Sequence, residues 1–201
     1  PVTELVIRGG DALLADRTLT RADIVCQGST IASVDGGDAA TEIDATGAWV
    51  LPGIVDVHGD AFERAVMPRP NVFVRMDRAI AEVRPQLLTA GITTAFISAT
   101  DGWEPGLRSR DRLRELVAQL TTATERARPP RLEIHVRHEC CNTDDLDELV
   151  GWIDAGAVRM LSYHDHTPGG IKLVKGLSDL RVQRSGVDRE ELQNLQDAAI
   201  A

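Results

Sequence analysis

Four strand-length apolar runs, at 54–58, 93–98, 132–139 and 158–164, are separated by stretches with helical spacing. Helices are expected over about 76–90, 109–127 and 144–155, with a last one starting near Asp188. In the long helix Leu113, Leu116, Val117 and Leu120 share one stripe, and Pro129-Pro130 stops it. Pro85 is expected to kink the helix that contains it. Strands that alternate with helices pair in parallel, because each helix carries the chain back to the start of the next strand. The fold class is therefore α/β, as a parallel sheet or an α/β barrel.

The first 51 residues have a different rhythm. Strand-like pieces at 5–7, 12–14, 23–26, 31–34 and 49–51 are divided by Gly9-Gly10-Asp11, Gly28-Ser29 and Gly36-Gly37-Asp38. Close spacing with such turns predicts a small all-β unit. The pattern changes at Pro52-Gly53, which gives two domains, 1–51 and 52–201.

Composition removes several function classes. With 22 Lys and Arg against 31 Asp and Glu the formal net charge is −9. That excludes a general nucleic-acid binder, which needs a basic footprint, and argues against a polybasic membrane-surface protein. Apolar runs are too short to cross a bilayer. Only 3% of residues are aromatic, so the core must rest on aliphatic side chains. Cys26, Cys140 and Cys141 make a poor disulfide framework, which suits a reduced, cytoplasmic setting. Cys140 and Cys141 are expected to be small buried fillers. The amino-terminal residues show no secretion signal.

The chemistry gathers at the ends of the runs. Strand alternation puts Asp56, His58 and Asp60 on one face, and His135, Arg137 and Glu139 on one face of the third strand. His164 and His166 close the fourth. Parallel α/β folds carry their active sites at the carboxyl ends of strands. His58-Gly59-Asp60 can grip one cation, although the same triplet also suits an ordinary turn. His, Glu and Asp donors suit zinc, manganese or a similar divalent ion. Glu139 can bridge metals or pair with a nearby arginine. His135, His138 and Cys141 have the spacing of a structural zinc site, but alternation turns His138 to the opposite face. Arg69 stands between Pro68 and Pro70 in the loop after the first strand, and this stiff setting suits either a phosphate contact or a plain surface loop. Lys172, after Gly169-Gly170, is a second anion candidate.

Leu51-Pro52-Gly53-Ile54-Val55-Asp56-Val57-His58 resembles the passage from the β unit into the first barrel strand of the amidohydrolase superfamily. His58-Gly59-Asp60-Ala61-Phe62-Glu63, Pro68-Arg69-Pro70, Ala90-Gly91-Ile92-Thr93-Thr94, His135-Val136-Arg137-His138-Glu139 and Asp165-His166-Thr167-Pro168-Gly169 resemble a phosphoanhydride-cleaving branch of it from phosphonate catabolism. The resemblance implies a small β-sandwich unit followed by a (β/α) barrel of amidohydrolase type. It implies one or more divalent ions, zinc, manganese or magnesium, held by His58, Asp60, Glu139 and His166. It implies a phosphorylated sugar as the small-molecule substrate, with Arg69, Arg137 and Lys172 as contacts, and release of diphosphate from a ribose 5-triphosphate. Gly59 and His138 depart from the pattern of the branch, and both adjoin ligands. A complete barrel takes roughly 250 residues, so about the first four strands are expected, as in the amino-terminal half of such an enzyme. A homo-oligomer or a missing carboxy-terminal half follows as an expectation. Cyclic amide hydrolysis, deamination, or an inactive fragment that requires a partner are the alternatives.

Overall fold

The computed structural model describes residues 4–166 and 177–200. The chain divides after Gly53 into two compact units.

The first unit is one mixed sheet of β1 (Glu4–Leu13), β2 (Leu19–Gln27), β3 (Thr30–Val34), β4 (Thr41–Asp44) and β5 (Trp49–Val50). The order is β3-β2-β1-β4, with β5 pairing the far end of β1. β2 runs antiparallel to β1 and to β3, while β4 and β5 run parallel to β1. The described residues thus form one small mixed β-sheet, in keeping with the expected amino-terminal strands of a β unit. The pieces at 5–7 and 12–14 are one strand. Gly9, at φ +69°, carries the chain through an irregularity between Ile7 and Gly10, and its N–H donates to Asp23 Oδ1 at 2.9 Å.

The second unit starts with β6 (Ile54–Gly59), α1 (Phe62–Val66), α2 (Met76–Thr89), β7 (Ile92–Asp101) and a 3₁₀ turn (Gly106–Arg108). It continues through α3 (Arg110–Leu120), α4 (Ala123–Arg126), β8 (Arg131–Glu139), α5 (Leu146–Asp154), β9 (Val158–His164), α6 (Asp179–Ser185) and α7 (Arg189–Ile200). β6, β7, β8 and β9 pair in sequence order, all parallel. One wall of this sheet is apolar. Ala95, Ile97, Ala99, Leu132, Ile134 and Val136 share a core with Ile80 and Val83 of α2 and Leu113, Leu116 and Leu120 of α3. The other wall carries Ser98, Thr100, His135, Arg137 and Glu139. Strands added in order, with helices on one wall and polar groups on the other, describe an arc of a barrel and not a doubly wound sheet.

Helices differ from expectation where threonines intervene. The stretch 109–127 breaks after Leu120, because Thr121 Oγ1 turns back onto the Val117 carbonyl at 2.7 Å and Thr122 caps α4 by accepting from the Glu125 N–H at 3.2 Å. Arg84 of α2 locks α4 in place. It pairs with Glu125 at 2.6 Å and donates to the Pro130 carbonyl at 2.7 Å, with both charged side chains buried. Cys140 is exposed and Cys141 half-buried, which corrects the expectation of buried fillers; β8 ends at Glu139 and both cysteines lie in the turn beyond it. No described helix is long and apolar enough to cross a membrane.

Candidate active site at the strand ends

Register builds the centre of the polar wall. Ser98 pairs with His135, Arg137 with Ser162, and Glu139 with His164, so equivalent levels of β7, β8 and β9 face the same side. A hydrogen-bonded chain crosses the three strands. Ser98 Oγ lies 3.0 Å from His135 Nδ1, His135 Nε2 lies 2.8 Å from Ser162 Oγ, and Ser162 Oγ lies 2.9 Å from His164 Nε2. The His58 ring meets the His135 ring edge-on at 5.3 Å. His135 is held below the usual imidazole range by burial, then by His58 and Arg137, against a backbone contact from Val57. Burial and Arg137 also depress His164; Glu139 opposes them, and His166 and His135 add to them. Both imidazoles are therefore neutral at pH 7, the form that can ligate a metal or shuttle a proton.

At the mouth of this wall sit carboxylates and guanidiniums. Glu139, only 3% exposed, hydrogen-bonds His166 Nδ1 at 2.6 Å, and His166 stacks on His164 at 5.5 Å. Arg137 is also buried. Its Nη2 donates to Thr100 Oγ1 at 2.9 Å, and its Nε has no partner among the described residues. Burial and the like charge of Arg108 push Arg137 down from its ordinary value, while Glu63, Asp60 and Glu139 pull it back. Its free-solution value is so high that it stays charged.

The expected residues fall as follows. His58 and Asp60 are exposed at the end of β6, which is irregular: Asp56 to Gly59 spans three steps against two between Ala95 and Ile97. Asp56 turns back to accept from the His58 N–H at 3.0 Å, so simple alternation fails there. Glu139 and His166 touch. The four metal candidates occupy the same end of the sheet and offer suitable nitrogen and oxygen donors. Among the described residues no three His, Cys, Asp or Glu side chains stand close enough together to hold an ion. Arg69 is exposed, in a short bridge with Val72. Lys172 lies outside the described residues. His138 faces the opposite wall, where buried Asp101 accepts from Arg110 and Asn142 and pairs with His138 at 2.8 Å. Sequence reasoning missed Arg108, Arg181 and Arg184. They stand on short elements far apart in the chain, and no local pattern marks them.

The fold and the motifs meet in the comparisons. The chain is 27% identical over 133 residues to the alpha-D-ribose 1-methylphosphonate 5-triphosphate diphosphatase of Escherichia coli (strain K12). A zinc-bound adenosine deaminase from Xanthomonas campestris superposes with a TM-score of 0.55 at 13% identity, covering 96% of this chain and 55% of that one. The chain shares the fold of the amidohydrolase superfamily. A half-barrel of the amidohydrolase type accounts for the parallel order of β6 to β9. The match to the diphosphatase takes in 63% of this chain, and the chain spans about a third, 34%, of that relative's length. An atrazine chlorohydrolase from Arthrobacter aurescens TC1, complexed with zinc, is similar at a TM-score of 0.46 and 19% identity, over 78% of this chain and 46% of that one. No family model matches the chain.

Proposed function

We propose that the protein is a metal-dependent hydrolase that cleaves a phosphoanhydride of α-D-ribose 1-methylphosphonate 5-triphosphate and releases diphosphate. The observation that carries this reading over cyclic amide hydrolysis or deamination is the concentration of arginine at the mouth of the polar wall. Arg108, Arg137, Arg181 and Arg184 gather there in a chain whose net charge is −9. A neutral amide needs no such group, whereas a triphosphate approaching an acidic protein does. The similarity to the diphosphatase supports the same choice.

His58, Asp60, Glu139 and His166 would hold the divalent ion. A bound cation of this kind supplies an activated water and offsets phosphate charge. The chain's own residues do the rest. Glu139 and His166 fix one another, so both present a set direction. The guanidiniums orient phosphate oxygens and stabilise the charge that grows on them during cleavage. The neutral His135 and His164, joined through Ser162, can pass a proton along the wall.

The test is a substrate panel of the ribose triphosphate, nucleoside triphosphates, cyclic amides and aminopurines, assayed with zinc, manganese or magnesium. Diphosphate release from the sugar triphosphate, lost together with bound metal in His58→Ala and Asp60→Ala, is the expected result. Turnover of only the amides or aminopurines would replace this reading with one of the C–N reactions.

A further inference from the structure

A second feature lies beside this wall. The 3₁₀ turn and α6 enclose a cavity of about 160 Å³ lined by Arg108, His166, Ser178, Arg181, Arg184 and Glu104, among others. Two buried carboxylates act as struts for its guanidiniums. Glu63 takes Arg108 on both oxygens, at 3.2 and 3.3 Å, and Arg184 at 3.4 Å. Glu104 lies 2.9 Å from Arg181 Nε, and the Arg181 guanidinium stacks over Trp103 at 5.0 Å.

Three guanidiniums, Arg108, Arg181 and Arg184, line one small cavity, held by Glu63 and Glu104, and Glu139 also acts on Arg108. Arg108 and Arg184 have 27% and 30% of their side-chain surface exposed, and are thus open to a ligand from solution. The long contacts to Glu63 leave N–H groups of both for another acceptor. Behind them the buried Arg137 holds its Nε without a partner among the described residues, and Arg108 repels it. A buried donor left unmade is costly, and like charges packed together cost more. A polyanion in the cavity would offset the like charge of Arg108 that acts on Arg137. His166 lines the cavity and hydrogen-bonds Glu139, so the cavity lies next to that carboxylate.

We propose that this cavity binds the diphosphate end of a substrate through Arg108, Arg181 and Arg184. The assignment rests on the phosphoanhydride reading and gives that reading its phosphate subsite. Guanidinium forks suit condensed phosphate, because each can hold two oxygens at once.

Calorimetric titration of the purified protein with inorganic pyrophosphate, in EDTA at fixed ionic strength, tests it without turnover. Saturable binding is expected, and Arg184→Gln should raise Kd about ten-fold or more. The pair Glu104→Gln with Arg181→Gln removes both charges of the second strut together, avoids a lone buried carboxylate, and should weaken binding similarly. Arg159→Gln, an exposed arginine at the opposite end of the sheet, should leave Kd unchanged. Absence of saturable binding by the folded wild type, or equal Kd in all these proteins, overturns the site. Pyrophosphate binding that depends on Arg184, without hydrolysis of any phosphoanhydride, keeps the pocket and removes the proposed reaction. Hydrolysis with an unchanged KM in Arg184→Gln removes the pocket and keeps the reaction.

Discussion

At the residue scale the informative pair is His135 and His164. Both are depressed in the folded protein, by burial and by neighbouring positive charge. In the unfolded chain they titrate near ~6.5. Between the two values the unfolded state binds more protons, so stability rises with pH across that window. The stabilising contribution is full above about pH 6.5 and is lost as pH falls through the folded values. The melting temperature of the metal-free protein should therefore drop between pH 7 and pH 5. His135→Gln should flatten that slope, because glutamine keeps hydrogen-bonding groups and cannot titrate. A wild-type melting temperature that is flat across this range would contradict the burial described here. His58 and Glu139 could be named as candidates because strand alternation and position at a strand end are local properties. The hydrogen-bonded chain through Ser98 and Ser162 was not, since it depends on the register between three strands.

Elements show the same division. β7, β8 and α2 were legible because about ten residues or more carry enough apolar periodicity to announce themselves. α1 and α6, with five and seven residues, carry too little, and the two-residue break between α3 and α4 depends on threonine side chains competing for backbone groups. The contact between the 3₁₀ turn and α6 is the least legible and rests on one glycine. Gly106 has φ +76°, and a Cβ there would stand 2.4 Å from the Arg184 carbonyl oxygen and 2.5 Å from that of Ser185. Gly106→Ala must push α6 away and strain the turn. The expected loss is about 1–2 kcal/mol for the left-handed backbone, with about 1–3 kcal/mol more for the overlap. Gly151→Ala offers the contrast. It sits inside α5 with open space around its missing Cβ, and should stabilise by roughly 0.5–1 kcal/mol. Denaturant unfolding of the two variants should move in opposite directions. A stabilised Gly106→Ala protein would show that α6 does not pack on the turn as described.

The whole molecule raises the question of edges. In the second unit β6 pairs only with β7, and β9 only with β8, among the described residues. Each outer strand thus presents a row of backbone N–H and C=O groups without a neighbour, which is a template for another strand. Edge strands that stay monomeric are commonly blunted by lysine, proline or inward charge. β6 does the opposite, because Ile54, Val55 and Val57 are each more than half exposed. Residues 1–201 alone should therefore associate, with themselves or with a chain that supplies the neighbouring strand. Sedimentation velocity over a hundred-fold range of concentration should show a rising mean mass. Val55→Lys with Val57→Lys should suppress it, since a charged edge repels a second copy of itself. The effect should be specific to the edge: Leu88→Lys, an exposed position on α2, should leave the association in place. A concentration-independent monomer with one sharp unfolding transition would mean that the four-stranded arc satisfies its own edges, and the case for a partner strand would end there.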